Sequence, residues 1–244
     1  MDYAIEARGL VKKFDAVTAV AGVDLQVKKG EIFGLVGPDG AGKTTTLRIL
    51  STAMEQTAGE ALVLGLNVRN QEELIRDRIG YMPQRFSLYG DLSVQENIDF
   101  FADIYGVPKG EERKQKAAGL LKFTGMLQFT DRRAAKLSGG MYKKLALACM
   151  LIHTPEVLFL DEPTLGVDPI SRREFWRILY GLKDVTIIVS TPYMDEAERC
   201  NRIGLIREGK MLQIDTPEAI KRSTGAKTLE EAFINIVEQG RTPA

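Results

Sequence analysis

The sequence predicts an α/β fold in which a mostly parallel sheet is covered by helices. In the final third, apolar strands such as VLFL (157–160) and VTIIVS (185–190) alternate with helical stretches, a pattern typical of a parallel sheet buried on both faces. The opening third alternates short apolar runs with glycine turns, which indicates an N-terminal antiparallel β subdomain. The middle of the chain has helical spacing and is interpreted as an inserted helical subdomain.

Glycines separate the strands that are predicted in the opening third. The predicted strands are Ala4–Ala7, Ala19–Val27, Glu31–Val36 and Ala61–Leu64, and Gly30, Gly37, Gly59 and Gly65 lie at their ends. Glycine adopts the backbone angles that tight turns need, so these runs are predicted as strands rather than helices.

Capping residues and apolar spacing place three helices in the middle of the chain. Ser93 and Glu96 form a capping box before NIDFFADIYG, and Gly106 with Pro108 ends that helix. Amphipathic stretches predict two further helices, one over about 111–127 and one over 138–152.

No repeat or low-complexity linker divides the chain, so we predict a single domain over residues 1–244. Its catalytic α/β core is predicted over about 1–84 and 155–225, its helical subdomain over about 85–154, and a helical tail over about 226–244. Two C-terminal helices are expected to begin at Thr216–Pro217 and at Thr228, which forms a capping box with Glu231.

The composition favours a cytosolic protein that does not bind nucleic acid. Lys plus Arg equals Asp plus Glu at 33 each, and nonspecific binding of nucleic acid needs a basic excess. The two cysteines, Cys149 and Cys200, are isolated, as suits a reducing compartment. The N-terminus lacks the apolar segment of a signal peptide, and no apolar run is long enough to cross a bilayer. If the protein acts at a membrane, we therefore expect it to do so without entering the lipid.

A phosphate-binding loop occupies residues 37–44, which read GPDGAGKT and match the pattern G-x-x-x-x-G-K-[ST]. The motif follows the strand EIFGLV and precedes the helix TTTLRILS, which is the context that it requires. Its backbone N–H groups are expected to surround phosphate oxygens, with Lys43 neutralising the β- and γ-phosphates and the Thr44 hydroxyl binding Mg²⁺. The sequence therefore predicts a P-loop NTPase core that binds ATP.

A second acidic site follows the strand VLFL, where Asp161 and Glu162 precede Pro163. A buried parallel strand delivers these carboxylates to the sheet edge at which ligands bind in such folds. Asp161 is expected to hold the Mg²⁺ shell, and Glu162 to orient the attacking water or accept its proton. The alternative for this pair alone is a solvated exit from the strand.

Residues 137–141 read LSGGM and lie between these two motifs. A phosphate loop, this pentapeptide and an acidic strand end, in that order, resemble the nucleotide-binding domain of an ABC transporter. The resemblance covers about residues 4–225. It implies an ATPase in which each ATP is clamped between the phosphate loop of one domain and the LSGG of another, so that the working unit is a homodimer or heterodimer.

The resemblance also assigns roles to individual residues. It implies that Gln84 touches Mg²⁺ and couples to the membrane subunit, that Asp168 lies in a loop that crosses between monomers, and that adenine stacks on Phe14. The expected catalytic residues are Glu162, Lys43 and Gln84, and the expected metal ligands are Thr44, Gln84 and Asp161. The expected nucleotide contacts are Phe14, Gly37, Pro38, Asp39, Gly40, Ala41, Gly42, Lys43, Thr44, Thr45, Ser138, Gly139, Gly140 and Asp168.

Two of these residues have plain structural alternatives. Ser138 can serve only as a helix cap, although Gly139 and Gly140 would then still expose amides that attract an anion. Phe14 lies near a strand end, where a lone phenylalanine is more often part of the core. Its position 29 residues before Lys43 matches that of the adenine-stacking aromatic residue in the family that the chain resembles.

Two positions depart from the family pattern. Pro192 follows the strand VTIIVS where related domains carry a histidine that contacts the γ-phosphate, and proline offers neither a side-chain donor nor a backbone N–H. Asp39 replaces the commoner asparagine of the phosphate loop. We therefore expect slow turnover at the chain's own site. The paired departures resemble the first half of a bipartite exporter ATPase, and the chain is predicted to be either that half alone or a free-standing relative. His153, the single histidine, is expected to be structural.

The leading functional prediction is the energy subunit of a multidrug exporter, peripheral on the cytoplasmic face of the membrane beside a multi-spanning permease. RFSLYGDLS is predicted as the docking edge, with Phe86, Leu88 and Tyr89 as exposed anchors, unless they pack inside the helical subdomain. The alternatives are a soluble ABC ATPase without a transport role and a regulatory nucleotide sensor without turnover.

Overall fold

The computed structural model describes residues 3–85 and 87–239. Two compact units make up the chain. The first is built from the residues up to Arg76 and from Thr186 onward, and the second from Asp77–Val185. The domain boundaries given above remain a prediction.

The first unit contains an antiparallel sheet of four strands in the order β2-β1-β4-β5. These are β1 (Tyr3–Phe14), β2 (Val17–Lys28), β4 (Ala58–Val63) and β5 (Leu66–Asn67). Residues of β2 alternate between buried and exposed along its second half, as expected for a strand with one face on the core. The predicted strands are confirmed here, although β1 and β2 are each longer than their apolar runs.

The same unit holds the parallel strands that position the phosphate loop. β3 (Ile32–Val36) lies between β8 (Thr186–Thr191) and β9 (Arg202–Arg207) and is parallel to both, and β10 (Lys210–Asp215) pairs with β9 in antiparallel fashion. All residues of β3 and β8 are buried, as the continuous apolar runs predict. The helices are α1 (Lys43–Leu50), α2 (Glu72–Arg76), α7 (Met194–Ala197), α8 (Pro217–Thr224) and α9 (Leu229–Gln239).

Among its described residues, the second unit contains two parallel strands, four α-helices and two short 3-10 helices, Leu127–Phe129 and Ala134–Lys136. β6 (Ile79–Met82) pairs with β7 (Val157–Asp161). The helices are α3 (Val94–Ile104), α4 (Glu111–Phe123), α5 (Gly139–Leu151) and α6 (Pro169–Gly181). A buried cluster that includes Ile98, Leu121 and Leu145 joins α3, α4 and α5 and forms the core of the predicted helical subdomain.

The helix boundaries follow the predicted caps with two corrections. Ser93 and Glu96 form the predicted capping box of α3. The helix predicted over 111–127 ends earlier, at Phe123, because Gly125 takes a positive φ of 72° there. The Thr228 hydroxyl accepts a hydrogen bond from the Glu231 amide, as the predicted capping box requires. The Glu231 carboxylate accepts from the Lys227 amide instead of the Thr228 amide, so the second half of the predicted box is wrong.

Along the described parts of the chain, no helix combines the length and the apolar character that crossing a membrane requires.

Candidate functional site

The phosphate loop connects β3 to α1 and encloses the side chain of Lys43. Its ammonium donates hydrogen bonds to the carbonyl oxygens of Gly37 at 2.8 Å and of Pro38 at 3.0 Å. Lys43 is only 4% exposed, so the loop surrounds a buried positive charge. α1 begins at Lys43, and the positive end of its dipole is therefore aimed at the same place. This arrangement provides a site for an anion.

Two glycines of the loop are required by its packing as well as by its turns. A β-carbon at Gly37 would overlap the carbonyl oxygen of Ile206, and one at Gly42 would lie 2.5 Å from the carbonyl oxygen of Ala19. Gly42 also has a φ of 101°, which L-residues avoid. The loop is therefore pressed against the neighbouring backbone, and its shape is determined by the first unit itself.

The remaining loop residues differ in exposure. Pro38, Asp39 and Gly40 are exposed, so the Asp39 carboxylate lies at the surface rather than inside the loop. Ala41 is buried, and Thr44 and Thr45 are half-buried in the first turn of α1.

Pro192 lies beside the phosphate loop. Val36 and Thr191 are partners in the parallel pairing of β3 with β8, and the Gly37 amide donates to the Thr191 carbonyl oxygen at 3.3 Å. The residue after Thr191 is Pro192, so the position that departs from the family pattern follows directly on a contact with the loop.

Phe14 ends β1 and is 43% exposed, so the alternative that it belongs to the core is wrong. The Lys12 ammonium lies 5.1 Å from the centre of its ring, a cation–π contact at the surface. An exposed ring of this kind offers a flat apolar face for stacking.

The acidic site of the second unit is formed where β7 ends. Asp161 is 1% exposed and Glu162 is 7% exposed. Glu162 has a φ of 45°, a left-handed backbone conformation that is rare for a residue with a long side chain. The Gln84 amide nitrogen donates a 2.9 Å hydrogen bond to Glu162 Oε2, which brings together two of the predicted catalytic residues.

LSGG begins α5 as predicted. The Ser138 side chain caps the helix by accepting from the Met141 amide at 3.4 Å. Gly139 is exposed with open space around its α-carbon. Gly140 is buried, and a β-carbon there would overlap the Ser171 side chain at the start of α6. The second glycine is therefore needed to pack α5 against α6.

Asp168 caps α6 and is exposed. Its Oδ1 accepts from the amides of Ile170 at 3.1 Å and Ser171 at 3.0 Å. The hydrogen bond from the Ser171 backbone, together with that from its side chain, holds the pKa of the Asp168 carboxyl below its usual range.

Three residues that shape this unit escape the sequence patterns. Asn97 is fully buried in α3 and binds both the amide and the carbonyl of Tyr89, which fixes the segment after Gln84. Lys143 and Tyr142 contact the same segment from α5. The sequence signal for Asn97 is an asparagine within the apolar helical run NIDFF, whereas no spacing points to the other two.

His153 makes structural contacts, in agreement with its prediction. Its Nε2 lies 2.9 Å from the Ile79 carbonyl oxygen, and its ring stacks on Tyr105 with 3.8 Å between centres. Burial lowers the pKa of the imidazole.

The predicted docking edge is only partly exposed. Leu88 is 8% exposed and packs in the helical core, so its prediction as an exposed anchor is wrong. Tyr89 is 48% exposed. Phe86 lies outside the described residues.

Comparison with known proteins identifies the family. The ABC transporter family profile matches residues 20–165. The chain belongs to the ABC transporter family. It is 43% identical over 240 residues to the probable multidrug ABC transporter ATP-binding protein YbhF of Escherichia coli (strain K12), covering 96% of this chain and 41% of that protein. The chain thus spans about two fifths of that curated relative's length.

Solved structures confirm the predicted fold class of this ABC transporter family member. An ATP binding subunit of an ABC transporter superimposes with a TM-score of 0.85 at 26% identity, covering 96% of this chain and 99% of that chain. The dimeric structure of MJ0796, a bacterial ABC transporter cassette, superimposes with a TM-score of 0.79 at 26% identity, covering 87% of this chain and 98% of that chain.

Proposed function

We propose that this chain binds and hydrolyses ATP to power a membrane exporter. The observation that carries the proposal is the phosphate loop, in which a buried Lys43 ammonium and the N-terminus of α1 face the same small space. Membership of the ABC transporter family and the likeness to a multidrug transporter protein support the transport role. The exported compound is recognised by another subunit.

The proposed roles follow from the chemistry of phosphoryl transfer. Lys43 and the loop amides neutralise the phosphates, and Phe14 stacks on adenine. Glu162 orients the attacking water and takes its proton, while Gln84 holds the Glu162 carboxylate in place through the 2.9 Å hydrogen bond.

The residues fit a magnesium ion that is held together with the nucleotide. Mg²⁺ prefers oxygen ligands and is usually bound by one or two carboxylates, water and substrate phosphates. The proposed ligands, Thr44, Gln84 and Asp161, offer hydroxyl, amide and carboxylate oxygens. Within residues 3–85 and 87–239, no group of three or more His, Cys, Asp or Glu side chains could hold a metal ion. When bound, Mg²⁺ neutralises charge on the β- and γ-phosphates.

We propose two kinds of partner. A second nucleotide-binding domain completes each ATP site with its LSGG, as Ser138, Gly139 and Gly140 do for the partner's site. The dimeric structure of a related cassette supports the pairing of two such domains. A multi-spanning permease is the second partner, and the chain therefore works on the cytoplasmic face of the membrane.

We further propose that the chain's own site turns ATP over slowly because Pro192 supplies no donor to the γ-phosphate. The position of Pro192 immediately after Thr191, whose carbonyl binds the Gly37 amide, supports this view. The intact LSGG then serves the site of a partner that carries the usual histidine.

Binding of Mg·ATP to purified variants tests the proposal. Lys43→Ala and Thr44→Val are each expected to weaken binding by about 10²-fold, because each removes a contact to charged phosphate or its metal. Thr44→Ser retains the hydroxyl and should bind like the wild type. Lys29→Ala, an exposed change outside the loop, is the control. Magnesium-independent binding, or unchanged binding in Lys43→Ala, would contradict the proposed function.

A further inference from the structure

Gln84 and Leu88, which follow β6, are each attached to α5 by a hydrogen bond. The Lys143 ammonium donates to the Gln84 carbonyl oxygen at 3.1 Å, and the Leu88 amide donates to the Tyr142 hydroxyl at 2.6 Å. Lys143 and Tyr142 are consecutive residues of α5, which begins with LSGG. Two consecutive residues of this helix therefore hold Gln84 and Leu88.

The Lys143 side chain is half-buried, and its ammonium contacts the Gln84 carbonyl oxygen. A hydrogen bond from an ammonium to a carbonyl is stronger than one between neutral groups. The contact with Gln84 is thus suited to fixing a backbone position.

Gln84 in turn contacts Glu162. The Glu162 backbone has a φ of 45°, and the Glu162 Oε2 receives the Gln84 amide nitrogen. The orientation of the Glu162 carboxylate therefore depends on where the Gln84 backbone lies. The contacts form a chain from Lys143 through Gln84 to Glu162.

We propose that Lys143 is a positioning residue for ATP hydrolysis, which holds Gln84 in place so that Gln84 orients Glu162. The inference rests on the proposed function, because Glu162 acts as the base there. Lys143 touches neither the nucleotide nor the water in this scheme, and Tyr142 assists by holding Leu88.

Single-turnover hydrolysis with excess protein tests the proposal. Lys143→Met keeps the length of the side chain and removes its charge, and we expect the hydrolysis rate to fall about 10- to 100-fold with ATP affinity unchanged, since misplacement of a reacting group costs rate rather than binding. Lys143→Arg should recover most of the rate. Lys122→Met, an exposed change in α4, is the matched control.

A double-mutant comparison separates positioning from general loss of structure. In a Gln84→Ala background the route to Glu162 is already broken, so adding Lys143→Met should change the rate less than about twofold. The proposal is wrong if Lys143→Met lowers the hydrolysis rate in the Gln84→Ala background by the same factor as in the wild type. It is also wrong if Lys143→Met alone leaves the rate unchanged. Absence of Mg·ATP binding in the wild type instead refutes the proposed function.

Hydrogen exchange provides a readout that does not depend on turnover. Lys143→Met and Tyr142→Phe should each accelerate amide exchange in residues 84–89 by about tenfold or more, with exchange in β7 unchanged, because the segment loses one attachment to α5. Exchange in residues 84–89 that matches the wild type in both variants would show that α5 does not hold the segment.

Discussion

The Thr191 hydroxyl donates a 2.7 Å hydrogen bond to the Glu196 carboxylate, and both side chains are buried. Thr191 also accepts the Tyr193 amide at 3.1 Å. The turn that contains Pro192 is thereby fixed on both sides of the proline. A side chain introduced at position 192 would project from a backbone that is already held in place.

This relationship predicts a gain of activity in Pro192→His. A histidine there restores a donor to the transferring phosphate, and such donors contribute about 10²–10³ in rate. We expect ATP turnover to rise at least about tenfold in steady-state assays. Pro192→Ala, which removes the proline without adding a donor, should stay at the wild-type rate. Equal rates in both variants would mean that the proline is not what limits hydrolysis.

Glu162→Gln should stop hydrolysis while leaving binding intact. The amide keeps the shape of the side chain and loses the base, and a general base contributes about 10²–10⁴ in rate. We expect a decrease of that size in single-turnover experiments, with the dissociation constant for Mg·ATP changed less than about threefold. The exposed Glu156→Gln is the control. Hydrolysis that survives in Glu162→Gln would assign the base to another residue.

Gly37→Ala and Gly40→Ala should differ in stability. The first places a methyl group against the Ile206 carbonyl, so the backbone must shift, and we expect a loss of about 3 kcal/mol in the free energy of unfolding. Gly40 has open space but a φ of 76°, which limits the cost to about 1–2 kcal/mol. Urea denaturation measures both. Similar losses of unfolding free energy in the two variants would indicate that the backbone at Gly37 moves to accommodate the methyl group.

His153 predicts a pH dependence of stability. Burial lowers its folded-state pKa, with Lys116 adding to the effect and the Ile79 carbonyl and Asp77 opposing it. The unfolded chain therefore binds the proton more readily, so the contribution of the neutral ring is present above about pH 6.5 and is lost as the pH falls toward the folded-state pKa.

Denaturation between pH 5 and 8 checks this prediction. We expect the wild type to lose more stability below about pH 6.5 than His153→Gln, whose amide can still donate to Ile79 and does not titrate. Parallel pH profiles for the two proteins would exclude His153 as the group responsible.

The sequence predicted elements whose signals lie within a few residues. The capping residues Ser93, Ser138 and Thr216 each begin a helix as expected, because a cap depends on amides two or three positions away. The sequence does not predict β6, since its four residues follow charged Arg78 and provide no long apolar run. The prediction that Leu88 is exposed is wrong because its burial also depends on α5, which lies more than 50 residues further along the chain.

Sequence patterns alone identify the α/β class, the phosphate loop, the acidic strand end and the family, because each is a short pattern whose chemistry is local. Only the folded structure shows which distant groups meet: Gln84 with Glu162, Lys143 with the Gln84 carbonyl, and Gly140 with Ser171. These pairs are separated by 30 to 80 residues, roughly, and only the packing of buried strands and helices brings them together. Patterns of neighbouring residues do not predict that packing.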